Sequence, residues 1–436
     1  MHDWLAEKRA KCEMRFESIP FAESKEWIIE GDKFRHKTGA FFSVEGVRAR
    51  AACPSLDGVC QPIINQPEVG ILGFVLMPDA GSHRWLVQAK AEPGNVGGVQ
   101  LAPTVQATHS NYTRKHGGAP TLYLDFFVSQ QYEPTSDSLQ SEQGTRFLRK
   151  FNRNATVVVN EQVDVANAHF CWLTAADMRT ALQTSFAINT DARSVMVSAP
   201  WRFLADTTQP FDNACASEMG LSASYKRQVR GDIVDRVKAC LEAMRRDAAL
   251  EVSPESLSRL TGWRVDADSI SPHSKDMSPL TVRHYSVWAP EREKAEWDQP
   301  LVLSSSPDSV QLLAQEREGV LHFLLRPAYE VGLTGGVEFG PSFKLENAAG
   351  QPDWLDGLCA DGHLETLIEV DQSDEGGRFM QACSRYAVCR LATAVPVPED
   401  PGNLWVTLGE LEALCQTPKL LTNEARSVIS LLLAFA

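Results

Sequence analysis

The chain has 436 residues, 43% hydrophobic and 22% charged, with a formal net charge of −14. That length suits two or three domains with sizeable cores. The acidic balance argues against a nucleic-acid polymer or an anionic membrane as the main partner, although a local arginine cluster can still hold a nucleotide phosphate.

Residues 1–30 read as helical, with Trp4, Leu5, Phe16, Ile19, Phe21 and Trp27 as packing points. Thr38-Gly39 marks a turn into an aromatic strand, and His36 beside it is either a ligand contact or a solvated loop histidine. From Trp85 to Glu92 the side chains alternate. Trp85, Val87, Ala89 and Ala91 form an apolar face, opposite Gln88, Lys90 and Glu92. A glycine-rich turn follows (Pro93 to Gly98), holding Asn95. The alternation then resumes, with Val99, Leu101, Val105 and Ala107 opposite Gln100, Thr104, Gln106 and Thr108. Two neighbouring strands each present a polar row, suited to a ligand rich in hydroxyls and carbonyls or simply to solvent.

The next segment is a polar loop with His109, Ser110, Asn111 and Tyr112, at the kind of sheet mouth where chemistry often sits. Tyr123 to Val128 reads as a short buried strand. Residues 139–157 read as a capped helix. Gln143, Arg146, Arg149, Lys150 and Arg153 fall at about one-turn spacing, as a phosphate-binding stripe or a solvated face. Trp172-x-Thr174 and Trp405-x-Thr407 each precede a helix start. Val229, Ile233, Val237, Cys240, Leu241 and Met244 form one helical stripe in a connecting segment. Ser253-Pro254-Glu255 reads as another helix start.

Ten cysteines show no CxxC pair and no zinc spacing, so no metal is expected and the thiols are expected reduced and buried in a cytoplasmic protein. The first residues read as charged and amphipathic, so no apolar leader is expected. The longest apolar run, Ile429 to Ala436 broken by Ser430, is too short to cross a bilayer.

The chain repeats itself. GNVGGVQLAPT (94–104) aligns with GLTGGVEFGPS (332–342), an offset of 238, and Gln61-Pro62 aligns with Gln299-Pro300 at the same offset. QSEQGTRF (140–147) aligns with QSDEGGRF (372–379), and QTSFAINTDARSV (183–195) with QTPKLLTNEARSV (416–428), at offsets of 232 and 233. Four collinear blocks point to two homologous domains from an internal duplication. The expected division is 1–200, a connecting helical segment 201–252, and 253–436. The second copy replaces Gln88 with Arg326, Lys90 with Ala328 and Gln106 with Lys344. Its pocket is expected to be degenerate, and the chemistry to belong to the first copy.

QPIINQPEVGILGF, AKAEPGNVGGVQLAPTVQATHSNYTRKHGG and LQSEQGTRFLRKFNRN resemble the nucleotide-diphosphohexose 2,3-dehydratases of deoxysugar biosynthesis. The resemblance implies an α/β (α+β) fold of two Nudix-like mixed-sheet modules, assembled as a homodimer. It also implies action on dTDP-4-keto-6-deoxy-D-glucose without a cofactor, and a labile 3,4-diketo product passed to a 3-ketoreductase. The metal box of the Nudix hydrolases is missing, which disfavours the alternative of a nucleotide-sugar hydrolase. A non-catalytic sugar-nucleotide binder is the other alternative.

Such a reaction needs a base at C3, a stabiliser for an enolate at O4 and an acid for the 2-hydroxyl. Glu92 and Glu142 are the carboxylate candidates for the base. Lys90 and Tyr112 suit the enolate, and His109 or Tyr112 the acid. His36, Gln88, Asn95, Gln100, Thr104, Gln106, Ser110 and Asn111 would orient the substrate. Arg146, Arg149 and Arg153 would hold its diphosphate.

Overall fold

The computed structural model describes residues 1–30, 32–112, 120–207, 209–227, 229–274, 277–290, 294–305, 307–345, 363–397, 400 and 402–436, without the side chains of 111 and 112. After an opening helix (His2–Lys11), the first half contributes β1 (Arg15–Ile19), β2 (Trp27–Glu30), β3 (Lys33–His36), β4 (Ser43–Arg50) and β5 (Cys60–Asn65). It continues with β6 (Gly70–Asp79), β7 (Ser82–Ala91), β8 (Val99–Ala102), β9 (Val105–Ala107), β10 (Ser136–Ser141), β11 (Phe151–Val158) and β12 (Phe170–Thr174). A seven-stranded sheet runs β10-β11-β6-β7-β12, with β8 on β7 and β9 on β6. Only the β11–β6 pair is parallel, so the sheet is mixed.

The second half contributes β13 (Glu251–Glu255), β14 (Trp263–Val265), β15 (Ser269–Pro272), β16 (Leu280–Trp288), β17 (Glu296–Ser304), β18 (Asp308–Arg317) and β19 (Val320–Tyr329). Then come β20 (Val337–Gly340), β21 (Phe343–Leu345), β22 (Leu364–Ser373), β23 (Cys383–Leu391) and β24 (Leu404–Val406). They build a second seven-stranded sheet of the same plan, β22-β23-β18-β19-β24, with β20 on β19 and β21 on β18. The two sheets share one apolar core around the helices Thr190–Ser198 and Asn423–Ser430. The apolar C-terminal run lies in this core. Among the described residues no helix is long and apolar enough to cross a membrane.

Two smaller sheets exchange strands between the halves. β13 of the second half joins β4-β3-β2, and β1 of the first half joins β16-β15-β14. This exchange corrects the reading of residues 1–30 as one helix. The helix stops at Lys11, because Arg15–Ile19 pairs with Leu280–Trp288 far along the chain. Ser253-Pro254-Glu255 is likewise strand, not a helix start. Pro254 is tolerated because β13 is an edge strand, where a missing N–H costs no ladder bond. Tyr123–Val128 is not a strand but ends in a helical turn (Asp125–Val128), whose Phe127 fills the space left by Gly73: a Cβ there would lie 2.3 Å from the ring.

Residues 139–157 are β10, a tight turn and β11 rather than a basic helix. The β-branched run at the end of β11 pairs in parallel with β6, and that long-range pairing overrides the one-turn spacing of the arginines. The helix starts after Thr174 and Thr407 do form. Each threonine closes a capping box, with Asp177 and Glu410 respectively. The stripe expected over 229–244 lies largely on the helix Ile233–Ala248, which buries Ile233, Val237 and Leu241. Of the nine described cysteines only Cys389 and Cys415 are buried, which corrects the expectation of a buried set.

Candidate functional site

Strand β7 ends where its polar row meets the following turn. Gly97 and Gly98 both take φ near +77°, which glycine adopts without strain. Asn95 donates from Nδ2 to the Lys90 carbonyl at 3.2 Å, so it organises the turn. The turn docks on the turn at Glu375–Arg378 of the second half. Gly94 N–H donates to the Gly376 carbonyl at 2.8 Å, and a Cβ on Gly94 would lie 1.7 Å from the Phe379 carbonyl oxygen. Only glycine permits that approach.

Beyond this junction lies a cavity of about 630 Å³ lined by both halves. Lys90 and Glu92 reach it with Nζ 3.3 Å from Oε1. Gln106 donates to Glu92 Oε1 at 3.3 Å and accepts from Asn189 Nδ2 at 3.0 Å, which fixes its orientation. Asp191, Lys150 and Asn152 complete the first-half wall, and Glu375, Gly377 and Arg378 come from the second half. Trp27, His36, Phe41, Phe42 and Trp297 form its aromatic lining. The His36 ring sits edge-on to Phe41 with centroids 4.8 Å apart. Arg378 stands between the two regions, its guanidinium 4.2 Å above the Phe42 ring.

Carboxylates crowd this end. Burial pushes the Glu142 carboxyl up to about 7, the nearby Glu375 charge adding to the effect against Arg426, Lys150 and the Asn152 amide. Burial also raises Asp191 well above the usual carboxylate range, with Glu375, Glu142 and Glu92 adding repulsion. Burial lowers the Lys150 ammonium, with Glu142 and Glu375 pulling the other way. The cluster can therefore hold carboxylic acid and carboxylate side by side, which acid–base chemistry requires.

Of the residues singled out in the sequence, Lys90, Glu92, Gln106, Thr108, Lys150 and His36 meet at this cavity, with Trp27 beside them. The others lie elsewhere. Glu142 is behind the wall, its two oxygens accepting from Asn152 at 2.8 Å and Asn423 at 3.0 Å. Gln100 is fully buried and bonds Val96 and Ser373. Thr104 accepts from Val75 N–H at 2.9 Å and donates to the Leu86 carbonyl, so its hydroxyl is spent inside the sheet. Gln88 lines a separate cavity of about 410 Å³, which Lys90 also reaches. Ser110 is held by Glu68. His109 and Arg153 border a third cavity of about 890 Å³, and Arg153 forks onto Asp137. Arg149 takes φ of +49° in a turn whose N–H donates to the Gly332 carbonyl at 2.7 Å. Arg146 is buried between Asp308, at 3.1 Å, and Asp374. The three arginines thus form no common phosphate site. The side chains of Asn111 and Tyr112 lie outside the described residues.

The family model for NDP-hexose 2,3-dehydratase matches residues 1–198 and 234–432. This chain belongs to the NDP-hexose 2,3-dehydratase family. It is 33% identical over 446 aligned positions to a Saccharopolyspora spinosa protein named dTDP-4-dehydro-6-deoxy-alpha-D-glucopyranose 2,3-dehydratase, covering 98% of this chain and 90% of that one. Proteins of the same name from Streptomyces violaceoruber and Amycolatopsis orientalis are 32% and 33% identical, over 98% and 99% of this chain and 95% and 89% of theirs. A solved Ap4A hydrolase from C. elegans overlaps 25% of this chain and 85% of its own at 15% identity, with a TM-score of 0.19, too low to bear on the fold. The chain is thus an enzyme, a sugar-nucleotide 2,3-dehydratase.

In this dehydratase the corresponding charges of the second half are spent on one another. Lys344 pairs with Glu424 at 2.6 Å and Glu330 at 3.6 Å, and Glu330 also accepts from Gly144 N–H at 2.7 Å. Lys344 stands where the first half has Gln106, and Ala328 where it has Lys90. Asp191, Glu375, Gly377 and Arg378 were not anticipated from the sequence. A signal existed in the aligned turns, where Gln143 and Thr145 of the first copy become Glu375 and Gly377.

Proposed function

We propose that this enzyme removes water across C2 and C3 of dTDP-4-keto-6-deoxy-D-glucose, giving a 3,4-diketo-2,6-dideoxy sugar nucleotide. The observation that carries this reading is the Lys90–Glu92 pair at 3.3 Å on the cavity wall. The C4 ketone acidifies the C3 proton. Glu92, fixed by Gln106, takes that proton. Lys90 holds the charge that develops on O4, a preorganised cation in a site shielded from bulk water. The enolate then expels the 2-hydroxyl, and the resulting enol becomes the diketone. None of these steps calls for an electron acceptor, so no cofactor is invoked.

Arg378 suits the diphosphate, because it stands between the acid–base end and the aromatic wall. Trp27, Phe41 and Trp297 suit the nucleobase, with His36 among them. The repeat blocks and the shared sheet plan favour descent by internal duplication of a Nudix-like module. On that reading 1–200 and 253–436 are the two units and 201–252 the connector. The division is one of descent rather than of space, since β1 joins a sheet of the second half, β13 joins one of the first, and β13 begins at Glu251. A homodimer, hand-over to a 3-ketoreductase and a cytoplasmic location complete the proposal. They rest on the family resemblance and on the lability of a diketo sugar.

The test is incubation with dTDP-4-keto-6-deoxyglucose without added metal, using mass spectrometry and a 3-ketoreductase trap. Loss of one water with a trapped 2-deoxy product supports the reading. Unchanged substrate, or metal-dependent release of dTMP and sugar phosphate, overturns it.

A further inference from the structure

Two copies of one turn face each other across the junction of the halves, and they have diverged where they meet the cavity. In Gln143-Gly144-Thr145 the amide of Gln143 donates to Asp374 at 3.2 Å, inside the protein. In Glu375-Gly376-Gly377 the carboxylate lines the cavity, and the third position carries no side chain. The Glu375 backbone is held rigidly, its carbonyl accepting from Arg378 N–H at 3.0 Å and Phe379 N–H at 2.9 Å. Its carboxylate has no hydrogen-bond partner among the described residues. Arg378, Glu92, Lys150 and Lys90 act on it electrostatically, and it acts in turn on Glu142 and Asp191.

The backbone of Gly377 gives the spacing. A Cβ built there would lie 3.4 Å from Glu375 Oε1 and 3.4 Å from Glu92 Oε1. The two carboxylate oxygens are therefore no more than twice that distance apart, and both border the position a side chain at Gly377 would take. Each carboxylate reaches about 3 Å to a group it exchanges a proton with, so both can address one edge of a pyranose ring placed against Gly377.

We propose that Glu375, supplied by the second half, is the general acid that protonates the departing 2-hydroxyl, and that Gly377 keeps open the space for the C2–C3 edge of the sugar. This rests on the dehydratase reading above and adds the acid that reading left unassigned. The proton count closes. As Glu92 removes the C3 proton, the electron pair moves toward O4. It then returns to form the C2–C3 double bond as C2–O breaks, and the Glu375 proton leaves with the hydroxyl as water. The pair gains one proton on Glu92 and loses one from Glu375. Burial raises the Glu375 carboxyl against the pull of Arg378, with Glu92 adding to the rise and Lys150 and Lys90 opposing it, and the net upward direction favours the protonated form that the step requires. The second half is then no spare copy, since the site is incomplete without it.

The experiment follows dTDP-4-keto-6-deoxyglucose in D₂O, reading deuterium at C3 and trapped dehydration product separately. Wild-type enzyme should do both. Failure of the wild type to exchange or dehydrate would overturn the substrate assignment, and this inference with it. With a working wild type, Glu375→Gln should keep C3 exchange within a few-fold of wild type while dehydration falls about 100-fold or more. Glu375→Asp should recover part of the loss. Dehydration at the wild-type rate in E375Q, or loss of C3 exchange in parallel with dehydration, overturns the role of Glu375 and leaves the dehydratase reading standing. Gly377→Ala is the check if E375Q does not fold. Gly377 lies outside the left-handed region and its Cβ meets only the two carboxylate ends, so the variant should keep the wild-type melting temperature. Its KM should rise about tenfold or more, and an unchanged KM overturns the spacing argument.

Discussion

Lys90 Nζ lies 3.3 Å from Glu92 Oε1, and Gln106 ties the two together by donating to that oxygen and accepting from the lysine at its backbone carbonyl. The pair puts a cation and a carboxylate side by side on one cavity wall. Lys90→Met keeps the aliphatic stem and removes the charge. It should lower kcat by about 100- to 1,000-fold, the usual cost of losing one oxyanion-stabilising group, while the melting temperature changes little. A trapped-product assay beside a thermal melt checks this, and an unchanged kcat would remove Lys90 from the mechanism.

Glu92→Gln should abolish deuterium incorporation at C3 together with dehydration. This differs from the expected behaviour of E375Q, in which exchange persists. NMR of the sugar nucleotide in D₂O separates the two variants, and persistent C3 exchange in E92Q would place the base elsewhere.

Arg378→Ala should act on binding. Losing a charged partner of a diphosphate costs about 1.5–3 kcal/mol, so KM should rise roughly tenfold or more with a smaller change in kcat. Steady-state kinetics decides, and an equal fall in kcat and kcat/KM would assign Arg378 to the transition state instead.

Arg146 tests the opposite claim, that an arginine of the expected phosphate stripe is structural. It is buried between Asp308 and Asp374 of the second half. Arg146→Met would leave two buried carboxylates without their cation and should cost about 3–5 kcal/mol of stability, read by urea unfolding. At low temperature, where the variant stays folded, its KM should equal that of wild type.

Glu142 makes stability depend on pH. Its folded carboxyl is raised from 4.5 to about 7, so between those values the folded protein holds a proton that the unfolded chain has released. Stability from this group is therefore full below about pH 4.5, falls as pH rises toward 7, and is level above that. Glu142→Gln should flatten the dependence over that window in urea titrations at a series of pH values. A slope equal to that of wild type would mean another group carries it.

The polar row was legible because strand alternation is local. Lys90 and Glu92 share a face by their spacing alone, and Gln106 belongs to the adjoining strand. Family membership was legible in the long motifs around the glycine turn. Neither the arginine stripe nor the strands at 15–19 and 251–255 could be read that way. Arg146 and Arg153 sit at helical spacing in a stretch that pairs as strands, and β1 finds its partner in Leu280–Trp288. Burial reassigned several polar residues too. Thr104 and Gln100 resemble ligand-facing groups in the sequence, yet they satisfy backbone and side-chain partners inside the protein.

By itself, then, the sequence determined which side chains alternate along a strand, where the glycines must turn and which family the motifs match. These depend on spacings of a few residues and on composition. Only the tertiary structure decided that Glu375, Gly377 and Arg378 face Lys90 and Glu92, while Lys344, Glu330 and Glu424 neutralise one another. The physical reason is that a charge is spent or available according to what lies within a few ångströms of it. In this chain those neighbours come from the other half, brought together by the contact of Gly94 with Gly376.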